Sequence, residues 1–268
     1  MKVAALIDYT PTTEVVIEFA YQLGLRFNAE IAFVTIVNEA HNTEILKANE
    51  ALLPSVDRFR AQGITCNIEI HEGSFMSVIG TVLETLHCTV ALIGTHGKRG
   101  IKQNLFGSNI LKLVKLLKMP SLIVQDTSKF PEHGFKSVFF PIASHSRFEM
   151  KIEQTQQIIE KDGVIKLYAL YKTNNLDDSL RKNVKLCEQE FEKRDMSFEL
   201  VEEDVNMYSV GYSRQSLEYI ANHDIDLISI MAQVSNSNKS FGNADKENMI
   251  LNPMGLPVLC CNDDEEHF

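Results

Sequence analysis

The sequence predicts an α/β fold of two tandem domains, each with a five-stranded parallel sheet covered by helices on both faces. Short apolar runs alternate with helical patterns along the chain, and the alternation starts again after a polar segment near residue 130. The last apolar run of the second half, Leu256–Cys261, also echoes Met119–Val124 of the first half. Because parallel strands are joined by crossover helices, this alternation predicts repeated right-handed β-α-β units.

Continuous apolar runs in the first half are typical of strands buried on both faces. The predicted strands are Val3–Ile7, Ile31–Val37, Val90–Ile93 and Pro120–Val124, together with Ile64–Ile70, in which apolar and polar residues alternate. The predicted helices lie between them, the first after Thr10–Thr13 and up to Asn28, then 43–62, Phe75–Leu86 and 108–118. Proline cannot donate a backbone hydrogen bond, so we expect Pro54 to interrupt the second helix.

The polar stretch 129–135 contains Pro and Gly and predicts a linker between a domain at 1–128 and a domain at 136–268. The strands predicted after it are Val138–Ile142, Val164–Leu170, Phe198–Val201, Ile225–Ile230 and Leu256–Cys261. The helices predicted between them cover 146–160, 175–194 and 213–222. The repeated order of elements indicates that the two halves arose by duplication.

An offset of 135 residues relates the two halves in this interpretation. It pairs Leu6 with Pro141, Asp8 with Ala143, Gly94 with Ser229, Gly97 with Ala232, and Gly107 with Gly242. A separate comparison of the second strands aligns Val37 with Tyr171. Few of these residues are identical, so we expect the two domains to have different binding properties.

Composition excludes several classes of protein. Hydrophobic residues are 44% and charged residues 23% of the 268, which excludes a disordered or fibrous chain. No apolar run reaches the roughly 18 residues of a membrane span, so we expect no membrane partner. The net charge of −10 falls on residues 131–268, with 14 Lys/Arg against 24 Asp/Glu, and opposes nucleic-acid binding. Five cysteines without a C-x-x-C pair favour free thiols in a reducing cytoplasm.

The segment most informative about function follows the fourth predicted strand. Gly94 and Gly97 lie where this strand ends, and Gly107-Ser108 lies where the next helix begins. Glycines let the backbone approach a ligand closely, and free amides at a helix start attract anions. Lys98 adds positive charge beside the loop. The pattern predicts a phosphate site that differs from both the P-loop and the dinucleotide fingerprint.

The glycine and serine positions of this loop match the motif G-x2-G-x9-G-[S/T] in full, and here the chain resembles the universal stress protein family in its ATP-binding branch. The similarity covers residues 1–125, including Val3–Asp8, with a second, eroded copy over 136–261. The resemblance implies a flavodoxin-like, adenine nucleotide alpha hydrolase-like winding with strand order 3-2-1-4-5 in each domain.

The resemblance also implies the residues of an ATP site. In ATP-binding members an Asp at the end of the first strand meets adenine, and Asp8 stands there, after Leu6 and Ile7 where the family often has Pro-Thr or Pro-Val. Val37 matches an apolar wall against the base and ribose. The positions implied for ribose and phosphates are Ile93, Gly94, His96, Gly97, Lys98, Gly107, Ser108, Asn109 and Ile110. Mg²⁺ or Mn²⁺ would accompany the nucleotide.

Each of these residues also has a purely structural interpretation. Asp8 is a residue type that caps loops, and Ser108 is one that caps helices, with or without a ligand. His96 is equally compatible with an exposed side chain, and Lys98 with a solvated positive rim.

The expected function is that of a cytoplasmic stress-response protein that binds ATP, or another adenine nucleotide, in its N-terminal domain as a sensor or signalling module. Expected partners are a second copy of the chain in a homodimer and an unidentified signalling protein. One alternative is a slow ATPase or autophosphorylating enzyme with Ser108 as acceptor, and another is a scaffold or carrier of a different small ligand in the C-terminal domain. No general base is evident near the loop, so no catalytic residue is predicted.

Overall fold

Two units, Met1–Phe130 and Pro131–Phe268, divide the chain. The structure, a computed structural model, describes residues 1–37, 42–95, 110–143, 148–171, 178–205, 212–232 and 242–262.

The first unit alternates strands and helices throughout. Its elements in chain order are β1 (Lys2–Leu6), α1 (Thr13–Phe27), β2 (Glu30–Val37), α2 (Asn42–Ala61), β3 (Cys66–Glu72), α3 (Phe75–Thr85), β4 (Val90–Thr95), α4 (Ile110–Leu116) and β5 (Ser121–Gln125). The strands are parallel in the order β3-β2-β1-β4-β5. The order 3-2-1-4-5 is therefore confirmed for this unit.

The second unit repeats this arrangement. Its elements are β6 (Ser137–Ile142), α5 (Phe148–Gln156), β7 (Val164–Tyr171), α6 (Asp178–Lys193), β8 (Ser197–Asp204), α7 (Tyr212–Ala221), β9 (Leu227–Met231), α8 (Asn243–Ile250) and β10 (Val258–Cys261). Its strands are parallel in the order β8-β7-β6-β9-β10. Counted within the unit, this is again 3-2-1-4-5.

Aromatic side chains fill the space between sheet and helices in both units. In the first, the ring of Phe33 on β2 packs edge-on against Phe59 of α2 at 5.2 Å between centroids. In the second, Phe140 on β6 packs in the same way against Phe191 of α6 at 5.5 Å. All four rings are fully buried. Burial of this apolar surface is the main stabilising term for each sheet-helix layer.

Two predicted helices differ from the structure. The prediction that Pro54 interrupts the second helix was wrong, because α2 continues through it. Its buried face, with Leu52 and Phe59, packs on the sheet, and this packing outweighs one lost hydrogen bond. The helix predicted over 146–160 ends at Gln156, since the amides of Ile158 and Ile159 both turn back to the carbonyl of Thr155.

The single offset between the halves also needed correction. Val3 pairs with Val90 and Val138 pairs with Leu227, so the offset of 135 holds for the first strands but becomes 137 for the fourth. In the first unit, Gly94 lies opposite Val124, the fourth residue of β5. In the second unit, Cys261 of β10 corresponds to Val124, and the residue opposite it is Met231. The two halves differ in length between these strands, so Ser229 is not the counterpart of Gly94.

The five cysteines are all buried and free. Burial raises the pKa of the thiols, to about 11 for Cys88 and about 12 for Cys187. The prediction of free thiols is confirmed, and a protonated, buried thiol is a poor nucleophile.

Candidate functional site

The candidate site lies at the carboxyl edge of the first sheet. There β1 pairs with β2 on one side and with β4 on the other. After β1 the chain forms β2 and β3 on one side of this strand, and it then crosses to form β4 on the other side. The direction of the strand order therefore reverses at β1. In open parallel sheets such a switch point leaves a crevice at the carboxyl ends of the strands, where ligands bind.

The register brings several of the predicted residues to this edge. Leu6 is level with Val34 on β2, and Ala5 is level with Leu92 on β4. Asp8 lies two residues after Leu6, the last paired residue of β1, and so just beyond the carboxyl end of this strand. The side chains of Leu6, Ile7 and Ile93 are buried in the core. Their side chains therefore belong to the core and are not exposed at the edge of the sheet.

Asp8 is fixed by the residues that follow it. Its Oδ1 accepts hydrogen bonds from the backbone amide of Thr10 at 3.1 Å, from the Thr10 hydroxyl at 2.7 Å and from the Thr13 hydroxyl at 3.2 Å. These contacts form the loop cap that is the structural interpretation of this residue. The second oxygen, Oδ2, accepts no hydrogen bond from the described residues. The carboxylate therefore caps the loop with one oxygen and keeps a second acceptor.

Tyr9 is a site-edge residue that the sequence did not single out. Its backbone is left-handed, with φ 56°, a conformation that is uncommon outside glycine. The ring is 45% exposed, and its hydroxyl lies 3.5 Å from that of Thr35 on β2. Burial raises the pKa of the Tyr9 phenol. The Asp-x-Thr pattern at Asp8 is the signal for a tight turn that could have drawn attention to this residue.

Gly94 is packed tightly under α1. A Cβ added to it would lie 2.7 Å from Cγ2 of Thr12 and 3.0 Å from Cγ2 of Val16. Helix α1 thus approaches the end of β4 as closely as the missing side chain allows. Close packing against α1 therefore explains why a glycine stands at this position, in addition to the close approach of a ligand that the motif predicts.

Gly94→Ala is expected to destabilise the first unit by about 1–3 kcal/mol, because the added methyl group displaces α1 from β4. The matched control is Gly80→Ala on α3, where an added Cβ meets no atom within 4 Å and alanine favours the helix. Urea unfolding of both variants checks this result. Equal unfolding midpoints for the two variants would show that α1 does not press on this position.

Thr95 follows Gly94 and ends β4. Its side chain is buried, and its hydroxyl has no hydrogen-bond partner within the described part of the chain. Buried hydroxyls in native proteins normally have a partner, so this donor is available to a water or ligand at the edge of the sheet.

The remaining predicted residues are only partly described. Val37 ends β2, is half-buried, and its carbonyl accepts from the amide of Gly73 at 2.9 Å. Ile110 begins α4 and is buried. The predicted residues that lie outside the described ones are His96, Gly97, Lys98, Gly107, Ser108 and Asn109.

Two further searches covered the described residues. Among them, no three His, Cys, Asp or Glu side chains come together in a group that could hold a metal ion. None of their helices is long and apolar enough to cross a bilayer.

Comparison with known proteins gave one family. Residues 1–125 match the model of the universal stress protein family. A search of curated proteins gave no significant match.

Solved structures with the same fold span the whole chain. A universal stress protein from Archaeoglobus fulgidus is 14% identical with a TM-score of 0.73, over 98% of this chain and 97% of its own. A Pseudomonas aeruginosa protein assigned to the universal stress proteins is 11% identical with a TM-score of 0.66, over 98% and 93% of the two chains. A universal stress protein family protein from Arabidopsis thaliana, solved with AMP bound, covers only part of this chain: it is 14% identical with a TM-score of 0.36, over 49% of this chain and 96% of its own.

Proposed function

Residues 1–125 match the universal stress protein family, and from this match we propose that the first unit binds ATP, or another adenine nucleotide, at the carboxyl edge of its sheet. The bound nucleotide would bias the conformation of the unit and so its choice of a signalling partner in a cytoplasmic stress response.

The main support for the proposal is the state of Asp8 at the switch point. Three donors hold its Oδ1, which fixes the carboxylate plane, while Oδ2 accepts nothing from the described residues. An oriented carboxylate oxygen is a suitable acceptor for the exocyclic amine of adenine. Val37, at the end of the neighbouring β2, offers an apolar wall for the base.

The phosphates belong, in this proposal, on the glycine loop after β4 and the turn before α4. Gly97, Gly107, Ser108 and Asn109 would supply backbone amides and one hydroxyl there. The triphosphate would bring Mg²⁺ or Mn²⁺ with it, because such an ion binds largely through phosphate oxygens and waters.

The testing experiment is a calorimetric titration of the full chain with Mg-ATP. We expect one nucleotide per chain, in the first unit. A supporting observation needs no added ligand: the chain has no Trp and seven Tyr, so co-purified adenine shifts its absorbance maximum towards 260 nm. No heat of binding and no adenine absorbance would refute the proposal, and two nucleotides per chain would refute its restriction to the first unit.

A further inference from the structure

The carboxyl edge of the second sheet is covered by its own side chains. Four polar side chains, one from each helix of this unit, donate to backbone carbonyls at the ends of β6 and β9. They are Lys151 of α5, Asn183 of α6, Tyr212 of α7 and Lys246 of α8. This is the edge that corresponds to the candidate site of the first unit.

Three successive carbonyls at the carboxyl end of β6 receive one donor each. Nζ of Lys151 lies 2.7 Å from the oxygen of Pro141. The hydroxyl of Tyr212 lies 3.1 Å from the carbonyl oxygen of Ile142. Nδ2 of Asn183 lies 2.8 Å from the carbonyl oxygen of Ala143. The carbonyl of Ala232, just after β9, accepts from Lys246 at 2.7 Å.

Both lysines are almost fully buried, with exposed fractions of 1% for Lys151 and 2% for Lys246. Burying a lysine is costly unless its amine has partners. For Lys151 the partners are the Pro141 carbonyl and the face of the Phe140 ring, whose centroid is 3.6 Å from Nζ. No carboxylate among the described residues pairs with it.

The described part of the first unit, residues 1–37, 42–95 and 110–130, shows no equivalent of this network. Val16 stands in α1 where Lys151 stands in α5, each three residues after the start of its helix. No described side chain donates to the carbonyls of Leu6, Ile7 or Asp8. Among the described residues, side chains thus donate to the carbonyls at the edge of the second sheet and not to the three carbonyls that follow one another at the edge of the first.

We propose that these four side chains replace a ligand in the second unit, so that its carboxyl edge is complete without a nucleotide and its stability instead depends on pH through Lys151. The inference rests on the contacts of the second unit and not on nucleotide binding by the first.

The sign of the pH effect follows from the burial of the amine. Burial lowers the pKa of Lys151 from 10.5 to about 7. Among the described residues, the titratable groups that face it are the thiols of Cys187 on α6 and Cys261 on β10, whose raised pKa values keep them protonated at neutral pH. Above pH 7 the folded unit holds a neutral amine while the unfolded chain holds a charged one, so stability rises with pH.

An upper limit to this window comes from the thiols. Their pKa values are raised to about 12 for Cys187 and about 11 for Cys261, so near pH 9 they begin to ionise in the unfolded chain only. Stability then falls with pH, and the useful range for a test is pH 7 to 8.5.

The experiment is native-state hydrogen exchange of the full chain without nucleotide, with peptides of each unit followed by mass spectrometry and corrected for intrinsic exchange rates. From pH 7 to 8.5 we expect the opening constant of the second unit to fall about tenfold. In Lys151→Met this change should be absent. Lys166→Met, which removes an exposed amine paired with Glu199, is the matched control and should keep it.

A second pair of variants tests the covering of the edge itself. Tyr212→Phe should raise the opening constant of the second unit about fivefold, the effect of one lost hydrogen bond. Tyr219→Phe on the same helix, whose hydroxyl makes no hydrogen bond with described residues, should not. A wild-type second unit whose exchange is independent of pH from 7 to 8.5 would overturn the role of Lys151. Equal exchange in the two tyrosine variants would overturn the covering.

Discussion

Replacing Gly107 with valine is expected to weaken ATP binding by at least about 100-fold, the loss of one or two hydrogen bonds to a charged phosphate. Gly107 lies outside the described residues, so this expectation rests on the motif. In the proposed site, a branched side chain at this position would occupy the space in which we propose that phosphates meet backbone amides. Calorimetric titration with Mg-ATP measures the effect, and circular dichroism checks that the fold is intact.

The second unit offers a matched control in Gly242. This residue caps α8 with φ −76°, and an added Cβ would have Oδ2 of Asp245 as its nearest neighbour, at 3.9 Å. Gly242→Val should therefore leave both the fold and the ATP affinity unchanged. If Gly107→Val binds ATP as tightly as the control does, the phosphate site is misplaced.

Asp8→Asn is expected to reverse the base preference of the first unit. The three donors that hold Oδ1 require an acceptor there, so the asparagine must place its carbonyl oxygen at Oδ1 and its NH₂ group at Oδ2. A donor would then face the amine of adenine, and ATP should bind about 10–100-fold more weakly. Inosine triphosphate carries a carbonyl oxygen at this position and should gain affinity.

Both nucleotides are titrated into the wild type and into Asp8→Asn. Asp8→Ala is the complementary variant, because it removes the cap as well as the acceptor. We expect it to cost about 1–2 kcal/mol in urea unfolding, as capping residues do. Unchanged ratios of ATP to inosine triphosphate affinity in Asp8→Asn would show that Asp8 does not contact the base.

Much of the fold follows from local sequence. Apolar runs such as Val3–Ile7 carry no polar alternation, and this alone indicates strands buried on both faces of a parallel sheet. Helices over 175–194 and 213–222 were predicted to within about three residues of α6 and α7. Pro54 shows the limit of this reasoning, since its local preference was overridden by the buried face of α2.

The candidate site was accessible to sequence reasoning only in part. The glycine pattern and the resemblance named Asp8 and Gly94, but not what holds them. The donors to Asp8 are two threonines of the following turn, and the packing of Gly94 comes from α1, about 80 residues earlier in the chain. The turn at Asp8 is local and carries the Asp-x-Thr signal, but the contact between Gly94 and α1 joins segments distant in sequence and leaves no periodic signal in either one.

The sequence by itself determined the class of fold, the alternation of elements, the order in which a family resemblance arranges the strands, and the loss of the glycine motif in the second half. Tertiary structure decided which residues stand opposite one another, placing Met231 rather than Ser229 at the counterpart of Gly94. It also decided that Lys151, an ordinary surface residue type in a sequence, is buried against a strand end. The physical reason is that periodicity records which face of an element is buried, whereas register and the partners of a buried polar group are set by packing between remote segments.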